Sequence, residues 1–352
     1  MVKNVDKYQL KTAVWEITMQ CNMKCIHCGT GSTLEKRGEE LNTDEALKLI
    51  QDLVSINCEK VTLAGGEPFV RKDWPLLAES VLKNKMKCAM ISNGLLIDKK
   101  VVAKLLELQK LGTIFIAVSI DGLAEIHNKI RNHPKAFSGI TKALNLLSEA
   151  NFPVSILTQV NNINFDELPK IQDFIFSYKN IYAWQIQVAS PWGRAKEQKD
   201  LIISPNKYLK LVNYIAEQKQ IHGKRVVAPD DIGFYGAFEE ILRGHHLAWQ
   251  GCHAGKRVVG IRSNGDITGC LSLMEDRFIE GNIRETSFPD IWNNPNSFAY
   301  NRQFDPSLLE GQCKTCKYGE RCKGGCKNTA LSLSGSFYKN DYCVHHIMNS
   351  FK

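Results

Sequence analysis

The chain lacks any run of about eighteen apolar residues, so no membrane-crossing helix is expected. Its opening stretch, MVKNVDKYQLKTAVWEITMQC, holds no short apolar block with a small-residue cleavage pattern, and no secretory signal is read there. The cytoplasm is the expected compartment. There is no low-complexity tract and no clear internal repeat. Lys and Arg outnumber Asp and Glu by 45 to 37, a formal net charge of +8, yet they form no long basic block. Nucleic-acid binding is therefore not expected. Hydrophobic residues at 43% and charged residues at 23% fit an ordinary globular protein. A length of 352 residues suggests one large domain and a smaller one.

What the chain has in excess is cysteine, twelve in all. Thiols in a reducing compartment stay reduced, so metal binding accounts for them better than disulfides. Three fall within CNMKCIHC, at Cys21, Cys25 and Cys28, and seven more lie between Cys252 and Cys343.

The first two thirds alternate strand-like and helix-like segments. The strand candidates are 12–18, 60–65, 87–92, 113–120, 153–160 and 182–190, rich in Val, Ile and aromatic residues. A helical pattern runs over 42–57, with Asn42 or Thr43 as its cap. Six strands each followed by a helix predict an α/β fold with a parallel sheet, a partial (β/α)6 barrel, whose working end lies at the C-terminal edges of its strands. Past Gly251 the apolar runs shorten. That region is expected to build little core and to fold around metal. The predicted domains are 1–235, a linker at 236–251, and 252–352.

The cysteine triplet follows directly on the first strand. Three thiolates can hold three irons of a [4Fe-4S] cube and leave the fourth open. An open position marks a catalytic metal, while structural sites are closed. The competing reading is a zinc knuckle with His27 as fourth ligand.

A C-x3-C-x2-C loop after the first strand of a six-fold βα repeat resembles the radical S-adenosylmethionine superfamily. "AGGEP" after the second strand strengthens the likeness. In the family that segment, here Gly65, Gly66 and Glu67, binds the amino group of the methionine part of S-adenosylmethionine. By the same resemblance Asn93 of "ISNG" and Ser119 and Asp121 of "SIDG" lie at the cofactor, the latter two at its ribose. Arg131 lies near its carboxylate, and Val188 and Pro191 lie by the adenine. The blander reading of Arg131 is a surface helix charge.

The tail spacing, Cys252, Gly265, Cys270, then Cys313, Cys316, Cys322, Cys326 and finally Cys343, resembles the SPASM extension of that superfamily, which holds two auxiliary clusters. The resemblance implies three [4Fe-4S] clusters. It assigns Cys313, Cys316, Cys322 and Cys343 to a distal cluster, and Cys252, Cys270 and Cys326 to a proximal one whose fourth position is open or filled by another residue. Cys58 and Cys88 are left over, and inert core thiols are the ordinary reading for both.

The implied chemistry is reductive cleavage of S-adenosylmethionine to a 5′-deoxyadenosyl radical, which takes a hydrogen atom from substrate. An oxidative change to a ribosomally made peptide, a thioether or carbon–carbon cross-link, is the favoured outcome. Alternatives are a peptide epimerase with Cys88 as hydrogen donor, a tetrapyrrole side-chain decarboxylase of heme biosynthesis, and a non-catalytic iron–sulfur electron carrier. Sulfatase maturation is disfavoured because Leu271, not an aspartate, follows Cys270. An external one-electron donor of the flavodoxin or ferredoxin type is expected. Twenty residues precede Cys21, so leader recognition is expected from a separate protein or from the tail. Candidates at the barrel mouth are Gln159, Asn161, Gln185, Gln187 and Tyr235.

Overall fold

The computed structural model describes residues 8–33, 38–244 and 248–350. Six parallel strands stand where the apolar pattern predicts them: β1 (Thr12–Thr18), β2 (Lys60–Gly65), β3 (Lys87–Ser92), β4 (Ile114–Ser119), β5 (Val154–Val160) and β6 (Ile181–Val188). Helices α1 (Thr43–Ser55), α2 (Trp74–Lys83) and α3 (Lys99–Gln109) cross between the first four. The entry to α1 is a capping box: the Asn42 side chain accepts from the Glu45 amide at 3.0 Å, and the Glu45 carboxylate accepts from the Asn42 amide at 2.9 Å. Here sequence-local chemistry alone fixes where the helix begins.

The strands alternate strictly between two environments, as a pleat requires. Val61 and Leu63, Cys88 and Met90, Ile114, Ile116 and Val118, Val154 and Ile156, and Trp184, Ile186 and Val188 are buried in the main core. Their neighbours Thr62, Ala64, Ala89, Ile91, Phe115, Ala117, Ser155, Leu157, Gln159, Gln185 and Gln187 line the lumen. The outward rows are Val, Ile and Trp because helices cover them. The lumen rows are small or polar, so six strands enclose space that their own side chains leave partly unfilled.

The tail departs from expectation. Among the described residues the sheet has ten strands, in the order β10-β9-β8-β1-β2-β3-β4-β5-β6-β7. A two-residue β7 (Val226–Val227) extends one edge. On the other edge the tail supplies β8 (Val258–Ile261), β9 (Asp266–Thr268) and β10 (Ile279–Asn282). β8 runs parallel to β1, pairing Thr12 with Val258, and β9 and β10 return antiparallel. Val259, Ile261, Ile267, Phe288, Trp292 and Phe298 join the main core. The tail thus contributes core as well as cysteines. Among the described residues no helix is long and apolar enough to cross a membrane.

Candidate functional site: a three-thiol loop over an open lumen

The loop after β1 gathers Cys21, Cys25 and Cys28 into one small cluster with Met23 and Ala136. Backbone contacts set its path. The Cys21 amide donates to the Thr33 carbonyl at 2.7 Å, and the Ile26 amide to the Ile130 carbonyl at 2.9 Å. Arg194 clamps the same loop from beyond β6: its Nε donates to the Cys25 carbonyl at 2.7 Å, its Nη1 to the Ser32 carbonyl at 2.9 Å, and its amide to the Cys28 carbonyl at 3.0 Å. Gly193 beside it has φ 51°, and a Cβ there would meet the Gly29 carbonyl oxygen at 2.4 Å. Sequence reasoning missed Arg194. "WGRA" carries a turn glycine before a cation, a signal too common to single out.

The thiols receive polar neighbours. Asn93 Nδ2 lies 3.8 Å from the Cys21 sulfur, Arg131 Nη1 lies 4.0 Å from the Cys25 sulfur, and Thr30 Oγ1 lies 3.3 Å from the Cys28 sulfur. Burial pushes the Cys21 thiol up to about 12, and the nearby charges of Glu67, Cys25 and Cys28 add to the rise. Burial likewise raises Cys25, with Arg131 opposing it. A cation that took the place of their protons would relieve the buried thiols of Cys21 and Cys25.

The zinc alternative does not fit. Among the described residues no three His, Cys, Asp or Glu side chains close on a single ion. His27 points away from the thiols, its Nε2 3.2 Å from Asp121 Oδ2. A larger body such as an iron–sulfur cube fits three thiols that share a loop and border a cavity without converging on one point.

The glycine-rich turn after β2 meets the lumen with backbone. Gly65 and Gly66 line the cavity. A Cβ at Gly65 would meet the Thr18 carbonyl oxygen at 2.2 Å, and one at Gly66 the Gln20 oxygen at 2.3 Å. Only glycine permits that approach. The Glu67 carboxylate turns inward instead. It is fully buried and accepts from Ser92 Oγ at 2.9 Å, the Asn93 amide at 2.8 Å and the Phe69 amide at 3.3 Å. Burial raises it to about 7 against these donors. Its side chain braces the β2 and β3 turns against each other.

Asp121 and Arg131 both line the cavity, and they are paired with each other there. Asp121 is wholly buried. Its Oδ1 accepts from the Gln159 amide at 3.0 Å, and its Oδ2 lies 2.5 Å from Arg131 Nη2. Burial opposes ionisation of Asp121, but Arg131 and His27 outweigh it and hold the carboxyl well below its usual range. His127 donates nothing to the lumen: its Nδ1 accepts from the Asp121 amide at 3.1 Å, and burial lowers it to about 3. The expected ribose contact is thus the counter-ion of the expected carboxylate contact. Arg131 is a buried ion-pair partner, not a surface charge. Ser119 lines the cavity.

The cavity itself measures about 630 Å³ and runs from the three-thiol loop down the lumen to Lys60 and Tyr182. Gln159, Gln185 and Gln187 form an amide wall within it, Gln159 pairing with Gln187 across β5 and β6. Gln159 Oε1 is buried without a partner among the described residues. Asn161 is instead wholly buried in the turn that follows β5, its amide donating to Asn164 Oδ1 at 2.8 Å. Tyr235 stacks on Tyr318 in the tail, with centroids 4.2 Å apart. Val188 lies outside the cavity, in the outward row of β6, its amide donating to Asp231 at 2.9 Å. Cys88 is fully buried in the same outward set, and burial raises its thiol to about 12. It does not reach the lumen, which removes the basis for its role as a hydrogen donor.

In the tail the cysteines separate into two groups. Cys313, Cys316, Cys322 and Cys343 line one small cavity with Phe234, Tyr235 and His345. Cys252 and Cys326 pack with Phe234, Trp249 and Ala254, with Cys270 against them, and Cys322 and Cys343 of the first set reach the same cluster. Asn328 ties this tail to the barrel: it accepts from Trp192 Nε1 at 2.7 Å and donates to Ser190 Oγ at 3.0 Å.

The Radical SAM superfamily model matches residues 15–175, and an iron-sulfur cluster-binding domain, SPASM, matches residues 252–317. An AdoMet-dependent heme synthase of Methanosarcina barkeri is 30% identical over 94% of this chain and 95% of its own length. The mycofactocin maturase MftC of Mycolicibacterium smegmatis is 28% identical over 91% of this chain and 80% of its own. The structure of Streptococcus suis SuiB bound to the precursor peptide SuiA shares the fold, with a TM-score of 0.72 at 18% identity, over 95% of this chain and 75% of that one. The chain belongs to the radical SAM superfamily and carries that superfamily's SPASM domain. It is an enzyme whose cofactors are S-adenosylmethionine and [4Fe-4S] clusters.

Proposed function

We propose that the enzyme oxidatively modifies a ribosomally made peptide, forming a cross-link by way of hydrogen-atom abstraction. The observation that carries this reading is the amide wall of Gln159, Gln185 and Gln187 inside an open lumen beside the three-thiol loop. Neutral amides offer paired donors and acceptors to a peptide backbone, and the unpartnered Gln159 Oε1 supplies one acceptor already in place.

Cys21, Cys25 and Cys28 are the residues to hold the catalytic cluster. With S-adenosylmethionine bound, such a cluster would supply the one-electron chemistry that hydrogen-atom abstraction needs. The chain's own residues bind and orient. Gly65 and Gly66 admit the cofactor against bare backbone, and Ser119 offers a hydroxyl to it. Asn93 donates toward Cys21. Arg131, fixed by Asp121, sets positive charge beside Cys25. Cys313, Cys316, Cys322 and Cys343 form one auxiliary ligand set, and Cys252, Cys270 and Cys326 the other. The partners of this reading are the peptide, a separate leader-binding protein, and an external flavodoxin- or ferredoxin-type donor.

A second reading is decarboxylation of a tetrapyrrole side chain. It is supported by the whole-length likeness to a heme synthase and by two cavity cations, Lys60 and Arg194, that pair with no carboxylate among the described residues. The deciding experiment reconstitutes the enzyme without oxygen. It then supplies S-adenosylmethionine, reductant and peptides encoded beside the gene, in heavy water. A peptide lighter by two hydrogens supports cross-linking. Unchanged peptides alongside accumulating 5′-deoxyadenosine sink the peptide reading, and an iron coproporphyrin then becomes the substrate to test.

A further inference from the structure

Two lysines stand side by side at the foot of the lumen. β2 and β3 begin in register, with Lys60 beside Lys87, Val61 beside Cys88 and Thr62 beside Ala89. Val61 and Cys88 belong to the covered core, while Thr62 and Ala89 line the cavity. Period-two alternation therefore puts Lys60 and Lys87 together on the lumen face. Lys60 lines the cavity floor, and Lys87 is exposed at its lip. Like charges directly across neighbouring strands are unfavourable.

Among the described residues no acidic group answers this pair. Glu59, next in sequence, is taken by Lys11. Of the described residues that line the cavity, the one carboxylate is Asp121, at the other end, and it is held by Arg131 and His27. Burial, and then the charge of Lys87, lower the Lys60 ammonium from its ordinary range. An anion seated between the two lysines would offset both effects.

The surroundings suit a carboxylate at the end of a long molecule. Ser155 and Tyr182 supply hydroxyls 3.5 Å apart, and the Phe115 ring lies 6.0 Å from that of Tyr182. Above them the amides of Gln185 and Gln187 follow each other up β6, 3.5 Å apart. From Lys60 to Gly65, β2 climbs roughly 17 Å at about 3.3 Å per residue. A molecule that reacts beside the three-thiol loop and reaches the foot thus spans about five extended peptide residues.

We propose that Lys60 and Lys87 form a carboxylate site at the foot of the lumen, where an acidic group of the substrate anchors and sets how deep the reacting end sits. The inference rests on the reading that the substrate occupies the lumen. The carboxylate has two sources, an acidic side chain or C-terminus of a peptide and a propionate of a tetrapyrrole. The recognition is the same for both: two ammoniums donate charge-assisted hydrogen bonds to one anion.

The test measures binding, by equilibrium dialysis without oxygen, on reconstituted full chains holding S-adenosylmethionine. Wild type is compared with Lys60→Met, Lys87→Met, the double variant and Lys60→Arg, with iron counts and thermal melts matched first. The probes are peptides encoded beside the gene and an iron coproporphyrin, each with its carboxylates free and as methyl esters. The double variant is expected to bind the free-acid probe at least about tenfold more weakly than wild type, and each single Met variant at least about threefold more weakly. Lys60→Arg is expected to stay within about twofold of wild type, and the esters to bind wild type and double variant alike. The probe that shows this pattern identifies the source of the carboxylate. A loaded double variant that binds the free acids as tightly as wild type overturns the proposal. So does an ester that binds wild type as tightly as its acid. Lys87 is exposed, so Lys87→Met keeps the test open if Lys60→Met fails to fold, and an unchanged affinity there also overturns the proposal. A wild type that takes up neither probe overturns the reading that substrate occupies the lumen, and the proposal with it.

Discussion

The two cysteine regions solve the same task differently. The catalytic loop takes its three thiols from eight consecutive residues, so local backbone geometry brings them together, with Arg194 and the Ile130 carbonyl holding the result. The tail takes seven thiols from a stretch of 92 residues, Cys252 to Cys343, and only tertiary folding gathers them. Contiguity makes the first site legible in any fold that exposes the loop. Dispersal makes the second depend on the sheet that carries it.

The sharpest break of that comparison is a cysteine exchange. Cys25→Ala is expected to abolish S-adenosylmethionine cleavage, read as 5′-deoxyadenosine. Cys313→Ala is expected to keep cleavage within about tenfold, the lower end of losses for residues outside a reacting centre, while substrate conversion disappears. Equal loss of cleavage in both would erase the distinction between the regions.

A smaller effect probes how far the tail is part of the barrel. Trp292 is buried in the common core, and its Nε1 donates to the Tyr8 carbonyl at 3.1 Å. Trp292→Ala is expected to cost roughly 3–5 kcal/mol and to lower one shared unfolding transition, followed by anaerobic denaturant melts. A separate early transition for the tail, with the barrel unmoved, would show two independent bodies.

The least effect concerns Glu67. Its folded value of about 7 lies above the ordinary carboxylate range, so the folded state binds its proton more tightly than the unfolded state does. Stability from this group is therefore present in acid and is lost as pH rises through about 7. Glu67→Gln is expected to flatten that decline by roughly 2–3 kcal/mol between pH 5 and pH 8. Thermal melts of the reconstituted chain at both values check it. A decline as steep in the variant as in wild type would remove the titration from Glu67.

Much of this was legible beforehand. The six strands and a cap at Asn42 or Thr43 followed from spacing and pattern, whereas the grouping of the tail cysteines was implied by the family resemblance alone. Other features were not. The strands Val258–Ile261 and Asp266–Thr268 are too short to carry periodicity, and the place of the first beside β1 is set by register across more than two hundred residues. The pairing of Asp121 with Arg131 joins the end of β4's loop to the last residue of the helix Ala124–Arg131, a closure no local signal gives. Two misplacements were avoidable. Val188 shares its strand face with Trp184 and Ile186, and Cys88 shares its own with Met90, so period-two alternation already assigns both to the covered side.

The pairing of β8 with β1 makes the tail a neighbour of the strand that leads into the three-thiol loop. A change that loosens Val258–Ile261 would therefore be felt at that loop as well as among the tail cysteines.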